Sequence, residues 1–219
     1  MFDYILFDLD GTLTDPKIGI TKSVQYALRA LGVEEPDLDK LECFIGPPLR
    51  DSFMEFYGFD EAQTRRAVAK YRERFEVTGI FENKIFPGIA QLLKTLKEHG
   101  KKVAIASSKP TELVERILVH FSISRYFDDV VGSEQDGTRS RKEEVVEEAL
   151  RRMVPEADVG KRVAMVGDRR FDIEGARAFG LTGIGVSFGY AAEGELEAAG
   201  ADYIVDSVAA LEALLCAEA

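Results

Sequence analysis

Three apolar runs in this 219-residue chain end in residues that can carry a charge or a proton. Asp8-Leu9-Asp10-Gly11-Thr12 closes the first, Ser107-Ser108-Lys109 the second and Gly167-Asp168 the third, with Asp172 following shortly after; Lys142 opens the helix-patterned segment between the last two. Taken singly, each has an ordinary explanation. Asp10-Gly11 suits a hairpin turn, Ser107 and Asp168 suit helix caps, and Lys142 suits a solvated surface. Brought to one place they would form a mouth of up to four carboxylates with a hydroxyl and an ammonium. Two carboxylates about 4 Å apart repel by about 4 kcal/mol at an effective dielectric of roughly 20, so such crowding calls for a cation. An all-oxygen donor set is the preference of Mg²⁺, which binds through one or two carboxylates together with substrate phosphate. That combination points to phosphoryl chemistry.

In such chemistry Asp8 is the candidate nucleophile, and Asp10 can protonate a leaving oxygen and later activate water. Ser107 and Lys142 are suited to holding phosphoryl oxygens, the one through its hydroxyl and nearby backbone N–H groups, the other as a positive charge. Thr12 and Ser108, in the same two segments, are further candidates for phosphate or substrate binding.

These residues need elements that converge. Residues 2–9 read as a buried strand ended by a tight turn, and similar runs recur at 102–107, 162–167 and 183–187, with weaker ones at 129–132 and 203–205. Amphipathic helices fit between them: one from Pro87 to Gly100, others from near Pro110, Arg141, Arg170 and Ser207. Alternating strands and helices predict an α/β fold, a doubly wound parallel sheet with a Rossmann-like core, whose ligands bind beyond the carboxyl ends of the strands. Residues 16–84 break the alternation with helical patterns at 16–31, 38–44, 49–57 and 61–76 and no convincing strand. They read as a smaller all-helical cap domain, with 1–15 and 85–219 forming the core domain.

Composition narrows the partners. A formal net charge of −11 argues against a nucleic-acid polymer or an anionic membrane, both of which are bound largely through Lys and Arg. A small-molecule phosphate ester is the expected partner, and the protein itself a monomer or homodimer. Cys43 and Cys216 lie far apart without metal-ligand spacing, so neither a disulfide framework nor a zinc site is expected. His99 and His120 read as structural or exposed. The first residues, MFDYILFDLD, lack a basic region before the apolar run, and no apolar stretch approaches the ~20 residues that span a bilayer. The cytoplasm is the expected location.

DLDGTLTD at 8–15, ASSKP around Ser107, Lys142 and GDRRFD at 167–172 resemble, in order and spacing, the four motifs of the haloacid dehalogenase superfamily. The resemblance spans essentially the whole chain, with 16–84 similar to the small helical cap of its phosphoglycolate phosphatase-like group. It implies Asp8 as nucleophile, Asp10 as acid and base, Mg²⁺ held by Asp8, Asp168 and the backbone carbonyl of Asp10, and Asp172 as a supporting acid near the metal. The second acid, Asp10, resembles the phosphatases and mutases and not the dehalogenases. Glu143 and Arg169 depart from the phosphoglycolate phosphatase pattern. The stretches 132–139 and 44–49 are more similar to the 5'-nucleotidase-like branch. A sugar-phosphate mutase would share every core residue. A phospho-accepting receiver domain would combine similar groups but has no use for a helical insert.

Specificity is expected in the cap, because the core residues bind only a phosphoryl group. There Gly46-Pro47-Pro48 starts a helix, and Arg50 lies in its first turn, where the helix dipole disfavours a cation unless an anion is near. A substrate's second polar group could supply the anion; so could Asp51 or Glu55.

Overall fold

The computed structural model describes residues 2–136, 138–158 and 162–217. From the N-terminus, β1 (Tyr4–Phe7) leads through a tight turn to β2 (Thr14–Asp15). There follow α1 (Lys17–Ala30), a 3-10 segment at Asp39–Phe44, α2 (Leu49–Tyr57), α3 (Glu61–Phe75), a second 3-10 turn at Gly79–Phe81 and β3 (Lys84–Ile85). Thereafter strands and helices alternate: α4 (Ile89–Glu98), β4 (Lys102–Pro110), α5 (Thr111–His120), β5 (Asp129–Ser133), α6 (Lys142–Met153) and β6 (Val163–Gly167). The chain finishes with α7 (Arg170–Ala178), β7 (Thr182–Val186), α8 (Glu195–Ala199), β8 (Tyr203–Val205) and α9 (Val208–Cys216). Two compact units result, Met1–Thr14 with Ile85–Ala219, and Asp15–Lys84.

In the first unit six parallel strands lie in the order β5-β4-β1-β6-β7-β8. The central strands read as unbroken apolar runs because helices cover both faces of such a sheet; Ile5, Leu6, Phe7 and all of Val163–Val166 are fully buried. From β1 the chain builds outward to β4 and β5, then returns past β1 to build β6, β7 and β8 on the other side. The connections therefore diverge beyond the carboxyl ends of β1, β4 and β6, which is where a doubly wound sheet leaves a crevice. Phe7 stands opposite Ile105 and Val166, so Asp8 leaves the sheet level with Ala106 and Gly167.

Helix faces follow the sequence pattern. α4 buries Ile89, Leu92, Leu93 and Leu96, and α6 buries Val145, Val146, Ala149 and Leu150 within the cluster that also holds Leu6, Val131 and Met165. Each Val, Leu or Ile among them is worth about 1.5–3 kcal/mol of apolar burial. The start of α6 is fixed by the Arg141 N–H, which donates to Glu144 Oε2 at 3.2 Å; this places Lys142 at the first helical position.

The second unit is helical. Asp60 caps α3 by accepting from the Gln63 N–H at 2.8 Å, while Gln63 Oε1 accepts from the Asp60 N–H at 3.0 Å. The Phe44 and Phe53 rings meet edge to face, 4.9 Å between centroids. Gly19 packs directly on the 3-10 turn at 79–81, since a Cβ there would sit 2.0 Å from the Gly79 carbonyl oxygen.

The structure departs from sequence expectation in small elements. The segment expected as a helix over 38–44 is a 3-10 helix at Asp39–Phe44; Ile45 is already extended at ψ 118°, and Pro47 biases the residue before it away from helix, so the segment stops there. The two-residue strands β2 and β3, which pair with each other, and the five-residue α8 fall below what periodicity can reveal. Among the described residues no helix is long and apolar enough to cross a membrane.

Candidate active site

β1, β4, β6 and α6 deliver their polar ends to one buried cluster. Asp8 is buried, and its N–H donates to the Val166 carbonyl at 2.9 Å, which carries β1–β6 pairing one residue past the strand. Lys142 reaches it from α6: Nζ donates to Asp8 Oδ1 at 2.7 Å and to the Ala106 carbonyl at 3.0 Å, and forms an ion pair with Asp172 Oδ1 at 2.8 Å. The ammonium is thereby held by two hydrogen bonds and one further charge contact. Burial works against the charged form of Lys142, but the Asp172 and Asp8 carboxylates outweigh it and hold its pKa above the ordinary lysine value.

Asp168 follows β6 with no solvent exposure. It is not a cap for α7. Its Oδ1 accepts from Thr12 Oγ1 at 3.2 Å and its Oδ2 from the Tyr190 N–H at 2.8 Å, so the turn after β1 and the loop after β7 both fix it. The capping role falls to Asp172, whose Oδ2 accepts from the Arg169 N–H at 3.0 Å. Gly11 has φ +85°, and a Cβ there would lie 2.1 Å from Asp168 Oδ2; at Gly167 a Cβ would lie 2.1 Å from Asp172 Cγ. Both carboxylates therefore sit hard against backbone that only glycine supplies.

Oxygens of Asp8, Asp168 and Asp172 lie within 4.8 Å of one another. Burial, and then the like charges of Asp172 and Asp8, push the Asp168 pKa well above the carboxylate range; burial also raises Asp172, although Lys142 offsets part of this. A carboxyl raised by its own neighbours is short of positive charge. Four buried carboxylates, counting Asp10, face two buried ammonium groups, Lys142 and Lys109, leaving the charge of one divalent cation to be supplied. An all-oxygen donor set with that deficit fits Mg²⁺.

Asp10 is buried beside this cluster. Its Oδ2 pairs with Lys109 Nζ at 2.5 Å, while Oδ1 is buried with no hydrogen-bond partner among the described residues. Burial raises its pKa, and the Lys109 charge opposes the rise. Ser107 is buried in β4 just past the last regular pair with β5, where its Oγ accepts from the Lys109 N–H at 3.4 Å; Ser108 is half-buried next to it. Thr12 is fully buried. Arg50, in the other unit, is exposed and pairs with Glu61 at 2.5 Å and Asp51 at 3.6 Å. Two anions of its own unit thus answer its place at the start of α2. Of the stretch 132–139, Gly137 lies outside the described residues; Arg139 donates through Nε to the Gly132 carbonyl at 3.0 Å and pairs with Glu134.

Sequence reasoning gave no role to Lys109, although it stands two residues beyond Ser107. Its proximity to that hydroxyl was the available signal; its contact with Asp10 depends on a strand irregularity. The Tyr190 N–H carried no signal, since a backbone donor in a loop leaves no mark on residue type.

The sequence model described as haloacid dehalogenase-like hydrolase matches residues 5–186. Over 211 residues, 96% of this chain and 94% of its counterpart, the sequence is 48% identical to a 5'-nucleotidase of Pseudomonas aeruginosa. Over 186 residues, 85% of this chain and 62% of the relative, it is 37% identical to the tyrosine-protein kinase PtkA of Mycobacterium tuberculosis. The crystal structure of a predicted phosphatase from Clostridium acetobutylicum superposes with a TM-score of 0.94 at 45% identity, covering 98% of both chains. With a family match across most of its length and this sheet beneath its carboxylates, the chain belongs to the haloacid dehalogenase-like hydrolases.

Proposed function

We propose that the chain is a Mg²⁺-dependent phosphatase that hydrolyses a small phosphomonoester through a phosphoaspartyl intermediate on Asp8. The observation that carries this is the buried Asp8–Lys142–Asp172 triad set against Asp168, a nucleophile candidate already oriented and charge-compensated on one oxygen. In the first step an Asp8 carboxylate oxygen attacks phosphorus as the bond from phosphorus to the leaving oxygen breaks, and Asp10 gives that oxygen a proton. In the second, Asp10 takes a proton from water, the water oxygen attacks the same phosphorus, and the bond to Asp8 breaks with its electron pair returning to the carboxylate. Inorganic phosphate and an alcohol are the products.

Asp8, Asp168 and the backbone carbonyl of Asp10 would hold Mg²⁺, with Asp172 supporting them, and the bound ion supplies charge neutralisation for the phosphoryl oxygens. Lys142 acts first by orienting Asp8; contact with a phosphoryl oxygen would exchange one of its present contacts with Asp8, Ala106 and Asp172. Ser107, with Thr12 and Ser108 nearby, supplies hydroxyl donors for the phosphoryl group.

A nucleoside 5'-monophosphate is the substrate class best supported, by the 48% identity to the P. aeruginosa 5'-nucleotidase and by the likeness of 132–139 and 44–49 to that branch. For Arg50 to read a second polar group of the substrate, it would have to leave Glu61. The test is a panel of nucleoside 5'-monophosphates, phosphoglycolate, sugar phosphates and pyrophosphate, assayed with Mg²⁺ and with chelator. The expected result is phosphate release that chelation abolishes, with the highest kcat/KM among the nucleotides. Undiminished turnover under chelation would overturn the metal-dependent reading, and a preference for phosphoglycolate would move the substrate assignment.

A further inference from the structure

We infer that Lys109 is a positioning residue for Asp10: it ties down one carboxylate oxygen so that the other stays available to the leaving-group oxygen. The inference rests on the acid–base reading of Asp10 above.

Lys109 Nζ lies 2.5 Å from Asp10 Oδ2, with side-chain exposures of 8% and 10%. The pair is thus almost out of water, and the second oxygen, Oδ1, is buried with no hydrogen-bond partner among the described residues. Leaving a buried acceptor unpaired costs about 1–3 kcal/mol, and such an atom calls for a reason, of which a catalytic role is one. A carboxylate turns broadly about its last torsion. Without an anchor, either oxygen of Asp10 could face the reacting centre or neither. Lys142 is committed elsewhere, to Asp8 and the Ala106 carbonyl by hydrogen bonds and to Asp172 as an ion pair, whereas Lys109 is the cation in contact with Asp10.

The position of Lys109 is built into the backbone. β4 and β5 pair regularly up to Ala106 and Val131, but the next pair is Pro110 with Ser133. Residues 107–109 of β4 therefore pass opposite Gly132 alone. Such bulges re-aim side chains beside active sites. Gly132 is moulded to this one: a Cβ there would lie 2.4 Å from the Lys109 carbonyl oxygen and 2.6 Å from the Thr111 nitrogen. Its N–H donates to Thr111 Oγ1 at 3.1 Å, locking the far side of the bulge.

The discriminating quantity is dependence on the leaving group. An aliphatic alkoxide needs a proton as it departs; p-nitrophenolate does not. Lys109→Met, Lys109→Gln and the charge-retaining Lys109→Arg are each checked for folding by thermal melting. They are then assayed on p-nitrophenyl phosphate and on the best aliphatic phosphomonoester of the panel, alone and combined with Asp10→Asn. Misplacing a catalytic group slightly costs ~10²-fold, so kcat on the aliphatic ester should fall about that much in Lys109→Met and Lys109→Gln. The fall on p-nitrophenyl phosphate should be at least ~10-fold smaller, since general acid catalysis matters little there. Lys109→Arg should recover part of the loss. Added to Asp10→Asn, either neutral substitution should cost no more than ~2-fold, because a residue that acts through Asp10 has nothing left to position. Equal losses on both esters, a raised KM with kcat kept, or a full multiplicative loss on the Asp10→Asn background would overturn the inference. Those results would make Lys109 a phosphate-binding or merely structural residue. If Asp10→Asn itself shows no leaving-group dependence, the acid–base reading of Asp10 fails first and takes the inference with it.

Discussion

The two units of this chain use the same ion-pair chemistry in opposite surroundings. In the helical unit, Arg50, Glu61 and Arg65 form a chain of contacts with side chains 48–69% exposed, and Lys70 pairs with Glu73 in similar exposure. In the sheet unit, Lys142 joins Asp8 and Asp172 with all three side chains at most 6% exposed. Exposed pairs are screened by water and contribute little. The buried set cannot be understood as a stabilising device, because desolvation opposes it and its acids outnumber its cations. The difference supports the site proposed above: the protein retains an electrostatically unfavourable cluster at the carboxyl ends of β1 and β6, and keeps its inexpensive pairs at the surface.

The strongest way to break the buried side of this comparison is Gly11→Ala. The substitution forces a Cβ into a left-handed backbone position with Asp168 Oδ2 2.1 Å away. We expect kcat/KM to fall by ~10²-fold or more through displacement of Asp168, with stability lowered by at least ~1–2 kcal/mol for the φ alone. Activity assays and thermal melting check both; wild-type values would show that the close contact does not position Asp168.

A subtler prediction concerns sign. In the absence of added metal, and above the pH at which Asp168 ionises, Asp168→Asn should raise the stability of the protein, because one of several crowded carboxylates loses its charge while the amide oxygen still accepts from the Tyr190 N–H and the amide nitrogen faces the Thr12 hydroxyl. With saturating Mg²⁺ the order should reverse, as the wild type gains binding energy that the variant lacks. Melting curves at both conditions decide it, and destabilisation without metal would show that the cluster is balanced as it stands.

The smallest effects belong to the surface. Arg151 and Arg152 hold the Glu148 pKa down to about 2. A carboxylate with a depressed folded pKa contributes stability above its ordinary pKa, and that contribution fades as the pH falls toward 2. Glu148→Gln should therefore cost only about 0.5 kcal/mol at neutral pH and nothing near pH 2. Glu61→Gln in the helical unit should leave the melting temperature essentially unchanged. A large loss in either would blur the contrast between the two environments.

Much of the sheet is legible in the residues. The apolar runs at 102–107, 162–167 and 183–187, and the weaker ones at 129–132 and 203–205, become β4, β6, β7, β5 and β8 with ends shifted by up to three residues, because strands covered on both faces must be apolar throughout. The polar residues that end those runs converge for the same reason: a parallel sheet delivers every carboxyl end to one edge. What was not legible depends on backbone detail. The 3-10 segment at Asp39–Phe44 has a helical pattern but stops where Ile45 turns extended. The Lys109–Asp10 pair needs the irregular register after Ala106. The Tyr190 N–H that holds Asp168 comes from a loop whose course no side chain announces.

The central claim is that a phosphoryl group passes through Asp8. Its most direct test is to quench the enzyme during turnover of its best substrate, reduce any acyl phosphate with borohydride and map the modified residue by mass spectrometry. The account predicts modification at Asp8 and at no other acid of the cluster. Modification of Asp10, Asp168 or Asp172 instead, with Asp8 untouched, would contradict it.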